Sequence, residues 1–150
     1  MRGEAGMTLV EMIVVLAIVA IIAGAAALGL GALSRAPSVE AEARRFADRL
    51  QYAVDETMMG GEERALVWDE TSYGFVLRDG RAWRPETGER LARHRLPGGM
   101  TLDAKGASPP ALLGGDGIGM PFAVRVNSAG GSWLVIYDGL NATAIPARPS

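Results

Sequence analysis

An unbroken apolar run of 22 residues, Met12 to Leu33, stands near the start of this 150-residue chain with no charge inside it. At about 1.5 Å per helical residue it reaches roughly 33 Å, against a hydrocarbon core of about 30 Å, so one helix suffices to span a bilayer. Leu, Ile and Val dominate its first half, and Gly and Ala its second, around Gly24-Ala25-Ala26-Ala27. A single carboxylate, Glu11, sits at its head. A charge at the centre of a membrane helix costs about 2.5–3.5 kcal/mol on insertion scales, and intramembrane acids are usually functional for that reason. Near the end of the run the cost is lower, yet a plain anchor has no use for the charge at all.

Three kinds of segment begin this way. A cleaved secretory signal has a basic start, an apolar stretch of about 7–15 residues and a small-residue cleavage site. Arg2 and the alanines at 25–27 fill two of those roles, but the run is too long and Glu11 intrudes. An ordinary signal anchor leaves Gly6-Met7-Thr8-Leu9-Val10-Glu11 unexplained. That hexapeptide resembles the class III signal of type IV pilins and type II secretion pseudopilins, in which a prepilin peptidase cuts after Gly and a Glu follows at the fifth mature position. The resemblance implies cleavage between Gly6 and Met7, N-methylation of Met7, and pairing of Glu11 with the N-terminal amine of a neighbouring subunit. It divides the chain into a leader (1–6), a transmembrane and assembly helix (7–36) and a periplasmic domain (37–150). The family usually places Phe after the cut, where this chain has Met7. Charge does little to set orientation, since only Arg2, opposed by Glu4, precedes the helix and Arg35 follows it. The cytoplasmic leader and inner-membrane location are implied by the resemblance alone.

Past Leu33 the chain carries 14 Lys/Arg and 15 Asp/Glu, a formal charge of −1. Such a balance lacks the basic stripe that nucleic-acid binding requires. There is no cysteine, so no disulfide staples the domain and redox compartment cannot be read. Some 115 residues are enough to bury a core without one.

Apolar residues recur at Val39, Ala43, Phe46, Leu50, Ala53, Val54 and Met58, spacings of three and four that place a single stripe on a helix. Glu40, Glu42, Arg44, Arg45, Asp48, Arg49 and Glu56 fall to the other faces, and Gly60-Gly61 marks a stop. A continuous helix from Thr8 to Met59 would be about 78 Å long, with Pro37 either kinking it or starting a new one. The remainder reads as β. Expected strands are Ala65–Trp68, Tyr73–Leu77, Arg81–Arg84, Leu91–Leu96, Met100–Asp103, Phe122–Val126, Trp133–Tyr137 and Ala142–Ile145. Asp79-Gly80 signals a two-residue hairpin with φ > 0 at both positions, and Asp138-Gly139 turns the last pair. Between Asp103 and Pro121 the chain is rich in Gly, Pro and Ala, with Leu112-Leu113 the best candidate for a weak strand. The fold class is α+β: a long N-terminal helix packed on antiparallel sheet, as in pilins. Trp68, Phe75 and Leu77 supply the sheet face for Phe46, Leu50 and Val54.

The order of these features narrows the resemblance. Trp83-Arg84-Pro85 after the Asp-Gly turn, then Arg95-Leu96-Pro97 and a later Gly-x-x-x-Pro-Phe stretch (Gly117 to Phe122), is similar to the H-type minor pseudopilin of type II secretion. That likeness implies a structural subunit joining the tip complex to the shaft of a periplasmic pseudopilus during export of folded proteins. Its partners would be the major shaft subunit, the tip subunits, the prepilin peptidase, the inner-membrane assembly platform and membrane lipid. The alternative is a minor type IV pilin of the same grouping, in pilus assembly or DNA uptake. The near-neutral domain and a tail with only Arg148 favour the first.

Nothing in the sequence builds an active site. His94 is the only histidine, which excludes a His-based metal cluster, and it sits among Arg90, Arg93 and Arg95 as on a solvated face. Asp103, Asp116 and Asp138 lack the spacing of a calcium loop. Arg78, Arg81, Arg84, Arg90, Arg93 and Arg95 would make a basic patch if strands aligned them, but Asp79, Glu86 and Glu89 interleave and favour a mixed-sign surface. No nucleophile–base pair, phosphate loop, cofactor motif or metal site is visible.

Overall fold

The structure, a computed structural model, describes residues 9–33, 37–114 and 119–148. The chain forms two compact units, Met1–Ala36 and Pro37–Ser150.

The first unit is built on α1, Leu9–Leu33, with Glu11 in its first turn. Its 25 residues extend roughly 37 Å. From Leu9 to Ala26 every side chain is exposed, so no face of this stretch is buried within the chain. An apolar surface of that extent is unstable in water and fits a hydrocarbon environment or a helix bundle.

The second unit starts a new helix rather than continuing the first. Ser38 adopts an extended backbone (φ −88°, ψ 145°) and its Oγ accepts the Ala41 N–H at 3.0 Å, capping α2, Val39–Gly60. Pro37 therefore precedes the cap, and of the two readings left open there, a kink or a new start, α2 takes the second. A serine cap satisfies a main-chain donor that continuing helix would otherwise supply with a carbonyl. At the other end Gly61 takes the left-handed conformation (φ 67°) and its N–H reaches the Thr57 carbonyl at 3.1 Å.

The stripe on α2 packs as its spacing predicts, with two corrections. Ala43, Phe46, Ala47, Leu50, Ala53 and Val54 are buried, but the stripe closes on Thr57 while Met58 is half exposed. Thr57 is tolerable there because its hydroxyl donates to the Ala53 carbonyl at 2.7 Å. The second correction is Glu42. It lies one helical turn before Phe46, on the edge of the stripe, and is buried.

Among the described residues nine strands form two antiparallel sheets. One contains β1 (Arg64–Trp68), β2 (Ser72–Asp79), β3 (Ala82–Pro85), β4 (His94–Arg95) and β6 (Ala111–Leu113), ordered β3-β2-β1-β6 with β4 also against β2. The other is β5-β7-β8-β9, from Thr101–Asp103, Phe122–Ser128, Gly131–Tyr137 and Ala142–Pro146. Helix α2 packs against β7, β8 and β9 of the second sheet and β1 and β6 of the first. Phe46 stacks on Tyr73 with ring centroids 4.0 Å apart, Phe75 meets Tyr73 edge-on, and Trp68 stacks on Phe122 across the two sheets. Leu77 is only half-buried, so Tyr73 takes the place in the core expected of it.

Local corrections follow from pairing. Register Asp79↔Ala82 makes Gly80-Arg81 the turn, with only Gly80 at positive φ (62°), so the hairpin has the type II′ pattern with glycine first. The expected strand at Leu91–Leu96 shrinks to β4 because Leu91 donates to the Gly88 carbonyl in a turn. Leu112-Leu113 does form a strand: β6 pairs with β1 through Leu66↔Ala111, Ala65↔Leu112 and Arg64↔Leu113. Asp116 and Gly117 lie outside the described residues.

Candidate functional site

Of the residues expected to serve processing and assembly, Gly6 and Met7 lie outside the described residues. Glu11 is placed on the first turn of α1, exposed, with Leu9, Val10, Met12 and Ile13 exposed around it. The first turn is where a helix dipole favours negative charge. The apolar neighbours make that carboxylate costly to take into hydrocarbon without a cation to meet it.

His94 is not on a solvated face. It is half-buried, and its Nε2 lies 2.9 Å from Oε2 of the buried Glu42. A carboxylate only accepts, so Nε2 carries the proton in this contact. Arg45 approaches the same carboxylate at 3.6 Å, one helical turn along α2. The ring of His94 also lies 5.4 Å from that of Tyr73. The polar cluster thus ties the two-residue strand β4 to the helix. Among the described residues no group of three His, Asp or Glu side chains is arranged to hold a metal ion.

The six arginines read as one possible patch divide. Arg78 stacks over Trp83 at 4.9 Å and lies 3.9 Å from Glu63, while Arg84 pairs with Asp79 at 3.5 Å, all around the β2–β3 hairpin. Arg90 and Arg93 instead line an open cleft with Arg45 and Arg49 of α2, His94 and Glu89. The sequence reading missed those two helix arginines as partners. Their i, i+4 spacing was the available signal, since it puts both on one flank.

Arg93 closes the turn before β2. It meets Asp69 and donates to the Ser72 hydroxyl at 2.9 Å. The Asp69 carboxylate also accepts the Thr71 and Ser72 N–H groups, both at 2.8 Å, and the Ser72 hydroxyl. The Thr71 N–H, then the Ser72 hydroxyl and the Arg93 guanidinium, hold this carboxyl well below the usual carboxylate range. Asp138 does comparable work in the last turn, accepting the Asn141 and Leu140 N–H groups, which lower its pKa and make it a turn cap.

The far end of the second sheet is closed by a buried hydroxyl. Tyr137 Oη accepts the Gly114 N–H at 3.0 Å and donates to the Gly139 carbonyl at 2.7 Å. A side chain at Gly119 would collide with that oxygen, and one at Gly139 would meet the Gly119 carbonyl at 2.9 Å with φ held at 106°. Glycines at 119 and 139 are therefore needed for main chain to close around one tyrosine.

Comparison with known proteins agrees with this arrangement at both ends of the chain. Residues 1–27 match the Prokaryotic N-terminal methylation motif. Type II secretion system protein H of Pseudomonas aeruginosa is 31% identical over 118 residues, covering 77% of this chain and 66% of that protein. Its namesake in Aeromonas hydrophila is 29% identical over 102 residues, covering 66% and 56%. The chain thus spans just under two thirds of the first of these relatives and little more than half of the second. In fold it resembles the minor pseudopilin EpsH of the Vibrio cholerae Type 2 Secretion System, with TM-score 0.64, 16% identity and coverage of 73% of this chain and 98% of that one. The solution structure of E. coli GspH superposes with TM-score 0.57 at 16% identity, covering 71% and 86%. With a methylation motif on an apolar helix and a second helix packed on paired antiparallel sheets, the chain is similar in sequence to type II secretion system protein H and in fold to the minor pseudopilin EpsH.

Proposed function

We propose that this chain is a structural subunit, not an enzyme, of the pseudopilus that type II secretion uses to export folded proteins across the outer membrane. In this reading prepilin peptidase cuts between Gly6 and Met7 and Met7 is N-methylated. The segment from 7 to 36 is held in the inner membrane and later in the filament, with the domain from 37 to 150 in the periplasm. The subunit joins the tip complex to the shaft. Its partners are the other pseudopilins, the peptidase, the assembly platform and lipid.

The observation that carries the proposal is α1 itself: an apolar helix with no described face buried in its own chain, one carboxylate in its first turn, and a separately capped domain after it. Such a helix needs other helices or lipid around it. In a bundle of like subunits Glu11 meets the N-terminal amine of a neighbour, which offsets the cost of burying either charge alone. The DNA-uptake alternative loses support because most of the domain's arginines are engaged with acids, rings or main chain of the same domain.

Intact-mass analysis of the chain made in a host with prepilin peptidase tests the reading. The expected product has 144 residues and begins at methylated Met7. Gly6→Val should leave the precursor uncut. A mature N-terminus near Ala27 would indicate a secretory signal and overturn the proposal.

A further inference from the structure

Beyond the N-terminal helix, the domain holds two guanidinium groups fixed in place without a carboxylate. Arg49 donates through Nε to the Arg90 carbonyl at 2.6 Å and through Nη2 to the Ala92 carbonyl, and its Cζ stands 5.2 Å from the Tyr73 ring centroid. Arg90 stacks over Tyr52 at 5.0 Å. Neither forms an ion pair among the described residues, whereas Arg44, Arg45, Arg64, Arg78, Arg84 and Arg93 all do. Both line the cleft between α2 and the 89–94 segment, with Arg45, Arg93 and His94 beside them and Glu89 as the one acid in its lining.

A guanidinium stacked by its face on an aromatic ring keeps its edge free, and that edge is a planar fork matched to a carboxylate. Stacking also removes much of the rotamer freedom that binding would otherwise have to restrict. We infer that this cleft docks an acidic peptide segment of a neighbouring subunit, with Arg90 supplying the exposed fork and Arg49 a fixed charge behind it. Arg45, Arg49, Arg90 and Arg93 surround the single acid Glu89 in the lining, so a segment bearing carboxylates is complementary to it. Both stacking rings are already covered by arginine, which leaves no aromatic platform for a base. The same domain carries Asp55 and Glu56 on the last turns of α2, the type of surface such a cleft would accept. The inference rests on the assembly reading above, since it supplies a reason for subunits to meet.

The test uses the full-length chain in detergent micelles and a fluorescein-labelled hexaglutamate peptide, read by anisotropy at low salt. Arg90→Gln should weaken binding roughly tenfold, in line with loss of a charge-assisted fork. Arg81→Gln, on the hairpin away from the cleft, should change it less than about twofold. Circular dichroism confirms that both variants are folded. Inorganic phosphate and a 20-nucleotide oligomer are added as competitors and should displace the peptide less well than unlabelled hexaglutamate. Equal affinity for wild type and Arg90→Gln, or no binding at millimolar peptide, overturns the inference. So does displacement by the oligonucleotide at lower concentration than by hexaglutamate. None of these results touches processing at Gly6, which is measured separately and tells failure of the docking inference from failure of the assembly reading.

Discussion

The carboxylate of Glu42 and the imidazole of His94, 52 residues apart in sequence, meet at 2.9 Å and join α2 to the short strand β4. β4 pairs with β2 through only two register positions, Ser72↔Arg95 and Tyr73↔His94, so main-chain pairing alone holds it weakly. The side-chain contact adds a charge-assisted hydrogen bond at a site where one partner is buried and the other half-buried. Removing either leaves the other under-satisfied, at a cost of about 1–3 kcal/mol. Glu42→Ala and His94→Ala should each lower the melting temperature, and the double variant should cost less than the sum. Additive effects in that cycle would mean the two side chains act independently.

Leu50 is fully buried on the central turn of the α2 stripe. Leu50→Asp places an unpaired charge in the core and should remove several kcal/mol of stability, enough to unfold the domain. Thermal melts followed by circular dichroism test it. An unchanged melting temperature would mean that this face of α2 does not meet the sheets.

Tyr137→Phe leaves the Gly114 N–H and the Gly139 carbonyl without their partner while keeping the ring. The expected loss is about 1–3 kcal/mol by denaturant titration. Tyr73→Phe should behave oppositely. The Tyr73 hydroxyl is buried with no hydrogen-bond partner among the described residues, and the Arg49 guanidinium lies over its ring. Losing that hydroxyl should leave stability unchanged or raise it by up to about 1 kcal/mol.

Burial pushes the Tyr73 pKa up to about 12, against the opposing pull of Arg49, and burial raises that of Tyr137 as well. A raised pKa means the folded state keeps its proton more tightly than the unfolded chain. The contribution is therefore complete below the unfolded value near 10 and is lost as pH climbs from about 10 towards 12. Asp69 has the reverse sign. Its carboxyl is depressed, so its contribution is present above the unfolded value near 3.9 and is lost as pH falls below it. Chemical denaturation across pH should show both limbs, with Tyr73→Phe flattening the alkaline one and Asp69→Asn the acid one.

These residues also show what the chain discloses before it folds. The membrane-length run, the α2 stripe and most strands follow from periodicity and turn residues, which act over a few positions. Even the weak β6 was visible as Leu112-Leu113 in a Gly/Pro-rich stretch. Glu42 was placed on an outer face because its polarity outweighed its helical phase, and Thr57 was left out of the stripe; only the contacts of His94 and the Ala53 carbonyl make their burial tolerable. Tyr73 lies on the same face of β2 as Phe75 and Leu77 and was not named for the core, where it takes the place given to Leu77. The hairpin frame at Gly80 depends on register, which one residue's slip reverses. The cleft was legible only in part: the spacing of Arg45 and Arg49 puts both on one flank of α2, but nothing local brings them to Arg90 and Arg93 some 45 positions on.

The central claim is that this subunit works by assembling through α1, with Glu11 neutralised by a neighbour. Its most direct test is co-purification of the chain with its shaft and tip subunits from native membranes, comparing wild type with Glu11→Ala. Glu11 precedes the unit Pro37–Ser150, so the substitution should leave cleavage, membrane insertion and domain folding intact while recovery with the other subunits falls roughly tenfold or more. Recovery and secretion at wild-type levels with Glu11→Ala would contradict the account.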